Sequence, residues 1–173
     1  MTEKEVANPG TLGLGGFALT TFLLSLVNAG IIQPENIGVL LGMAFFYGGA
    51  AQILAGMWEF KSGNIFGATC FTSFGAFWMG LALMLVLEKL GIAKIPSTGM
   101  SAFLFAWGLF TLYAPFASFH TRKGLRILFI ALTITFFLLA AGGYLGILVA
   151  LIAWYLSTAI LINGVANKNI LRY

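Results

Sequence analysis

Six apolar stretches, each close to the ~20 residues that a helix needs to cross a hydrocarbon core, divide this chain almost end to end. They are read as spans near 12–32, 37–60, 65–87, 100–119, 125–141 and 144–163. Turn-forming residues separate them: Gln33-Pro34-Glu35-Asn36, Lys61-Ser62-Gly63-Asn64, and a segment from Glu88 to Thr98 holding Gly91 and Pro96. Gly142-Gly143 reads as a tight turn that makes the last two helices antiparallel neighbours. With 60% hydrophobic and only 8% charged residues among 173, the chain has too little polar surface for a water-soluble fold. The expected fold is all-α, one polytopic domain of six transmembrane helices over 1–173, with 1–11 and 164–173 outside the bilayer.

Charge placement gives the expected orientation. Lys4, Lys61, Arg122, Lys123, Arg126, Lys168 and Arg172 fall on one side of a six-span arrangement, and Lys89 and Lys94 on the other. Basic residues concentrate on cytoplasmic flanks, so both termini are expected in the cytoplasm. The same scatter argues against nucleic acid, which asks for a basic stripe on one face. No basic segment, short core and small-residue cleavage site precede the first run, so it reads as a mature span rather than a signal peptide.

There is no Asp, and Glu3, Glu5, Glu35, Glu59 and Glu88 all lie at expected helix ends or in loops, as do the Lys and Arg residues. Ion-coupled pumps usually keep ionisable relays at the membrane midplane. A lone His120 and a lone Cys70 do not make a metal site or a nucleophile dyad, so no cofactor or metal is expected. Glu59 beside Lys61 reads as a solvated helix terminus rather than a catalytic pair. A solute route through such a chain has to be lined by hydroxyls, amides, backbone dipoles and rings, which suits a small neutral or monoanionic solute.

Polar side chains within the spans fall on faces. Thr21, Ser25 and Asn28 share one stripe, and Thr69, Thr72 and Ser73 another. Thr20, Tyr47, Gln52, Thr111 and Thr133 are further pathway candidates, although Ser and Thr in membranes commonly serve as interhelical glue. Asn28 and Gln52 are costly to leave unpaired in lipid and are expected in the interior or on a pathway. Gly38 with Gly42, Gly63 with Gly67, and Gly142 with Gly146 have helix-packing spacing. In Asn8-Pro9-Gly10-Thr11-Leu12-Gly13-Leu14, Asn8 reads as an N-cap and Pro9 as a first-turn residue. A capped helix start with free amides also attracts an anion.

That opening resembles the Asn-Pro-x-x-Leu-Gly-Leu signature of the acetate uptake transporter family, the succinate/acetate permeases. Phe46-Tyr47-Gly48-Gly49-Ala50-Ala51-Gln52 with Glu59, and Gly63-Asn64-Ile65-Phe66-Gly67-Ala68-Thr69 followed by Phe71-Thr72-Ser73-Phe74-Gly75-Ala76-Phe77-Trp78, fit the same family. Beyond Trp78 the match thins to Trp107-Gly108-Leu109-Phe110-Thr111 and Leu132-Thr133. The resemblance implies a homohexamer in the plasma membrane whose protomers each pass acetate and, in some members, succinate. It also implies an apolar constriction at Phe17, Phe74 and Leu132, where Phe74 replaces the family's Tyr, and Gly10-Thr11 replace its Ala-Pro. Asn8 and Thr11, with Leu14 beyond them, then form an anion station. Two other readings remain beside it: a channel for water, urea or ammonia, and a membrane-embedded enzyme or assembly subunit.

Overall fold

The computed structural model describes residues 6–119, 121–140, 146–166 and 168–172, and every regular element among them is helical. In lipid no water is at hand for unpaired amides, so a helix, which pairs its backbone internally, is the open-ended solution. The first span is α1 (Gly10–Asn28). A 3-10 turn over Pro34–Asn36 leads into the second, built from α2 (Ile37–Phe45), a π-helical turn (Phe46–Ala51) and α3 (Gln52–Lys61). The third span is α4 (Ile65–Lys89). The fourth is broken into α5 (Ser97–Leu112) and α6 (Ala114–Ser118). Then come α7 (Lys123–Ala140) and α8 (Gly146–Ala166). Five of the spans are long and apolar enough to cross a membrane, and the last also carries an apolar stretch, Leu151–Ala166.

These ends lie within about four residues of the expected ones, the usual uncertainty of a helix end. The fourth span breaks because Pro115 has no amide hydrogen to continue the α5 ladder. The turn expected at Gly142-Gly143 lies outside the described residues.

α1 and α4 form the centre of the protomer. α1 packs on α8, on the π turn and on α3, while α4 packs on α3 and the π turn, and α5 pairs with α7. Glycine permits these approaches, at only some of the expected positions. A Cβ on Gly38 or Gly42 would meet nothing within 4 Å, so that pair does not pack inside the protomer, whereas one on Gly67 would stand 2.8 Å from Glu59 Cδ; Gly142 lies outside the described residues. Other close approaches were not expected: a Cβ on Gly16 would stand 2.5 Å from the Tyr47 carbonyl oxygen, and one on Gly48 would stand 2.6 Å from Thr20 Oγ1. Gly63 serves a different purpose, turning the chain between α3 and α4 at φ +77°.

Candidate functional site

A cavity of about 400 Å³ opens at one end of the bundle. Its walls include Asn8 and Gly10 at the start of α1, Asn64 and Gly67 at the start of α4, and Arg122 and Leu125 at the start of α7. Three helix beginnings at one opening mean that α1, α4 and α7 run parallel away from it. Deeper in, the same cavity is lined by Leu14, Phe71 and Phe129. Each stands three residues before Phe17, Phe74 and Leu132 on its own helix. Three residues rise about 4.5 Å, so the next layer inward is formed by those three side chains.

All three are almost fully enclosed, Phe17 at 5%, Phe74 at 2% and Leu132 at 4% exposure. The Phe17 and Phe74 rings meet edge to face with centroids 5.8 Å apart. Phe74 also touches the rings of Trp107, Phe110, Phe129 and Phe136. Beyond the layer lies a narrow cleft of about 30 Å³, room for roughly one water. Phe17 and Leu132 form one side of it, and Thr21, Ser25 and Asn28 line it together with Phe77, Trp78, Thr135 and Phe136. The order along the three parallel helices is therefore cavity, apolar layer, cleft.

The first stripe thus faces one space, although Ser25 Oγ also donates to the Thr21 carbonyl at 2.7 Å. Asn28, the last residue of α1, is exposed and stands on the cleft, a pathway position rather than an interior one. The second stripe does not line either space. Thr72 packs against Gly56 across the α3–α4 contact, and Thr69 and Ser73 are half-buried. Thr111 and Thr133 hold helices together: Thr133 Oγ1 donates to the Phe129 carbonyl at 2.8 Å and to the Thr111 carbonyl at 3.2 Å, joining α7 to α5. Thr20 is fully enclosed against Gly48, Tyr47 is half-buried beside Gly15, and Gln52 is 1% exposed with no partner for its Oε1 among the described residues.

At the mouth, the Asn8 side chain accepts from the Gly10 amide at 2.9 Å. The helix begins one residue later than expected, with Pro9 at the N-cap position, so Asn8 closes a turn just outside it. Thr11 is not among the residues lining the cavity; its carbonyl accepts from Ser157 Oγ at 2.9 Å and ties α1 to α8. Polar residues missed by the sequence reading complete the mouth. Asn64 caps α4 by accepting from the Gly67 amide at 3.2 Å. Glu59 is only 4% exposed, with its carboxylate accepting from Asn64 Nδ2 at 2.7 Å, not a solvated terminus. Arg122 adds a guanidinium whose pKa burial lowers, though Arg remains a cation at neutral pH. The sequence signal for this set was the motif segment 59–67, whose Glu and Asn come together only when α3 turns back into α4.

The arrangement can admit a small polar solute from one end, offer it amides and a cation, and make it shed water at an aromatic layer. Known proteins are similar to this chain in sequence and in fold. A model described as the GPR1/FUN34/yaaH family matches residues 1–170. The succinate-acetate/proton symporter SatP of Escherichia coli (strain K12) is 38% identical, over 99% of this chain and 97% of its own length. Ammonia transport outward protein 2 of Saccharomyces cerevisiae is 40% identical, over 95% of this chain and 63% of its own length. Among solved structures, the bacterial acetate channel SatP superposes with a TM-score of 0.90 at 39% identity, covering 95% of this chain and 97% of that one. With likeness in sequence and in fold running through the same six spans, cavity-lining segments included, the chain belongs to the GPR1/FUN34/yaaH family.

Proposed function

We propose that this multi-pass membrane protein passes acetate and related small carboxylates, succinate among them, along a route between α1, α4 and α7, and that it is not an enzyme. The observation that carries the reading is the alignment of cavity, aromatic layer and cleft on three parallel helices. Asn8, Asn64, Arg122 and the first turns of α1 and α4 supply the anion station. Phe17, Phe74 and Leu132 supply the barrier, where apolar side chains penalise a hydrated ion and tolerate a methyl end. The described basic residues of the cavity end, Lys61, Arg122, Lys123, Arg126, Lys168 and Arg172, favour a cytoplasmic position for that end, and the reading carries a single domain over 1–173 in a plasma membrane with both termini cytoplasmic. Assembly as a homohexamer accompanies this reading and rests on the family resemblance.

A second reading is passage of a neutral molecule such as ammonia. The barrier layer carries neither charge nor hydroxyl, and one relative bears an ammonia-transport name. Uptake of labelled acetate by proteoliposomes, beside ammonia, urea and water controls and protein-free vesicles, decides between the two. Acetate uptake above the protein-free level that unlabelled succinate or acetate competes away is expected. Saturable ammonia flux with no acetate flux would replace the first reading by the second.

A further inference from the structure

Glu59 is the one acidic side chain buried in the described residues, and it stands where the incoming carboxylate would be held. Its Oε2 accepts from Asn64 Nδ2 at 2.7 Å and from Ser62 Oγ at 3.5 Å. Its Oε1 faces the first turns of two helices: a Cβ built on Gly10 would be 3.4 Å from it, and one on Gly67 would be 3.0 Å from it. Any larger residue at Gly67 would displace the carboxylate, so the backbone is shaped around it. The first turns of α1 and α4 therefore already face a carboxyl group, and that group belongs to the protein.

A second carboxylate brought beside the first meets like charge in a partly desolvated space. Two adjacent carboxyl groups relieve this by keeping one proton between them. We propose that Glu59 shares a single proton with the bound solute, so that the station is loaded by a carboxylate together with one proton. The step balances as RCOO⁻, Glu59-COO⁻ and H⁺ giving one O–H···O⁻ pair with a net charge of one, which the two helix starts and Arg122 offset. This rests on the carboxylate route proposed above and assigns the loading of the proton to one residue. Other ionisable groups facing the same cavity are Arg122 from the segment before α7 and Cys70 from α4. α1, α7 and α8 present only amides and apolar groups there, Lys61 on α3 itself is exposed, and His120 lies outside the described residues.

The test is acetate binding to the purified full chain in detergent, by calorimetry from pH 6 to 8, for wild type, Glu59→Gln and His120→Gln. Free acetate is almost wholly ionised over this range, given a carboxyl pKa of about 4.3. Uptake of one proton per acetate makes the apparent Kd of wild type and His120→Gln rise by up to tenfold per pH unit. Glu59→Gln keeps an acceptor for Asn64 and binds the anion alone, so its Kd should be flat and at least tenfold lower than wild type at pH 8. A flat wild-type profile overturns the inference whatever the variants do. So does a slope that survives in Glu59→Gln or disappears in His120→Gln. Absence of acetate binding by wild type at every pH would instead overturn the carboxylate reading, and this inference with it.

Discussion

Phe74 sits inside a cage of five aromatic rings, contributed by α1, α5 and α7, at the position where the resembling family has Tyr. A hydroxyl added there has two possible fates. Directed along the route it gains water and solute, and Phe74→Tyr should then raise acetate uptake or extend it toward succinate at matched expression. Directed into the cage it lacks a partner, which costs about 1–3 kcal/mol, and a lowered Tm with unchanged uptake would reveal that orientation. Leu132→Ala removes the barrier's aliphatic member. It should relax size selection between acetate and succinate and cost about 2–5 kcal/mol of stability, both read from competitive uptake and detergent melts. At the mouth, Asn8→Ala should lose about 0.5–2 kcal/mol through the freed Gly10 amide. Weaker acetate binding should accompany it, and a lower Tm with unchanged affinity would leave Asn8 as a turn-closing residue only.

Between helices, glycine decides which faces can touch. The π turn brings Gly48 and Gly49 inward, and the Tyr47 carbonyl then lies where any side chain at position 16 would have to be. Backbone cannot swing aside as a flexible side chain can, so Gly16→Ala should cost about 1–3 kcal/mol. Gly42→Ala meets open space and gains helix propensity, so it should be neutral or stabilising by up to about 1 kcal/mol. Thermal melts of the two variants give the comparison, and equal destabilisation by both would mean that Gly42 packs against another protomer. Spacing alone pointed to Gly38 and Gly42, because a four-residue period marks a possible face without naming what lies opposite. The helices themselves were plain in the sequence, as were the turns at Pro34 and Gly63, because apolar run length and turn residues are local signals. The π turn was not, since its extra residue disturbs no pattern of hydrophobicity.

At the scale of the whole protomer, six spans were plain in the sequence, and the family resemblance pointed to Phe17, Phe74 and Leu132, three enclosed side chains on α1, α4 and α7. The sequence did not show Glu59 as buried. Beside Lys61 that residue looks like an ordinary wet helix end, and only the return of α4 and the docking of α1 above it close it off, contacts that no local pattern encodes. Orientation is proposed from the basic residues at the cavity end. If the cavity end is cytoplasmic, Arg122→Cys in a Cys70→Ser background should resist an impermeant thiol reagent applied to intact cells and react in inverted vesicles; labelling in intact cells would reverse the assignment. The central claim is that solute passes between α1, α4 and α7, and it is tested most directly by blocking the cleft. Thr21→Cys, again with Cys70→Ser, places a thiol in a space of about 30 Å³ just beyond Phe17. Its reaction with a small methanethiosulfonate should abolish acetate uptake, and saturating acetate should slow that reaction. Complete modification of Thr21→Cys, measured by mass, with uptake unchanged would contradict a route along these helices.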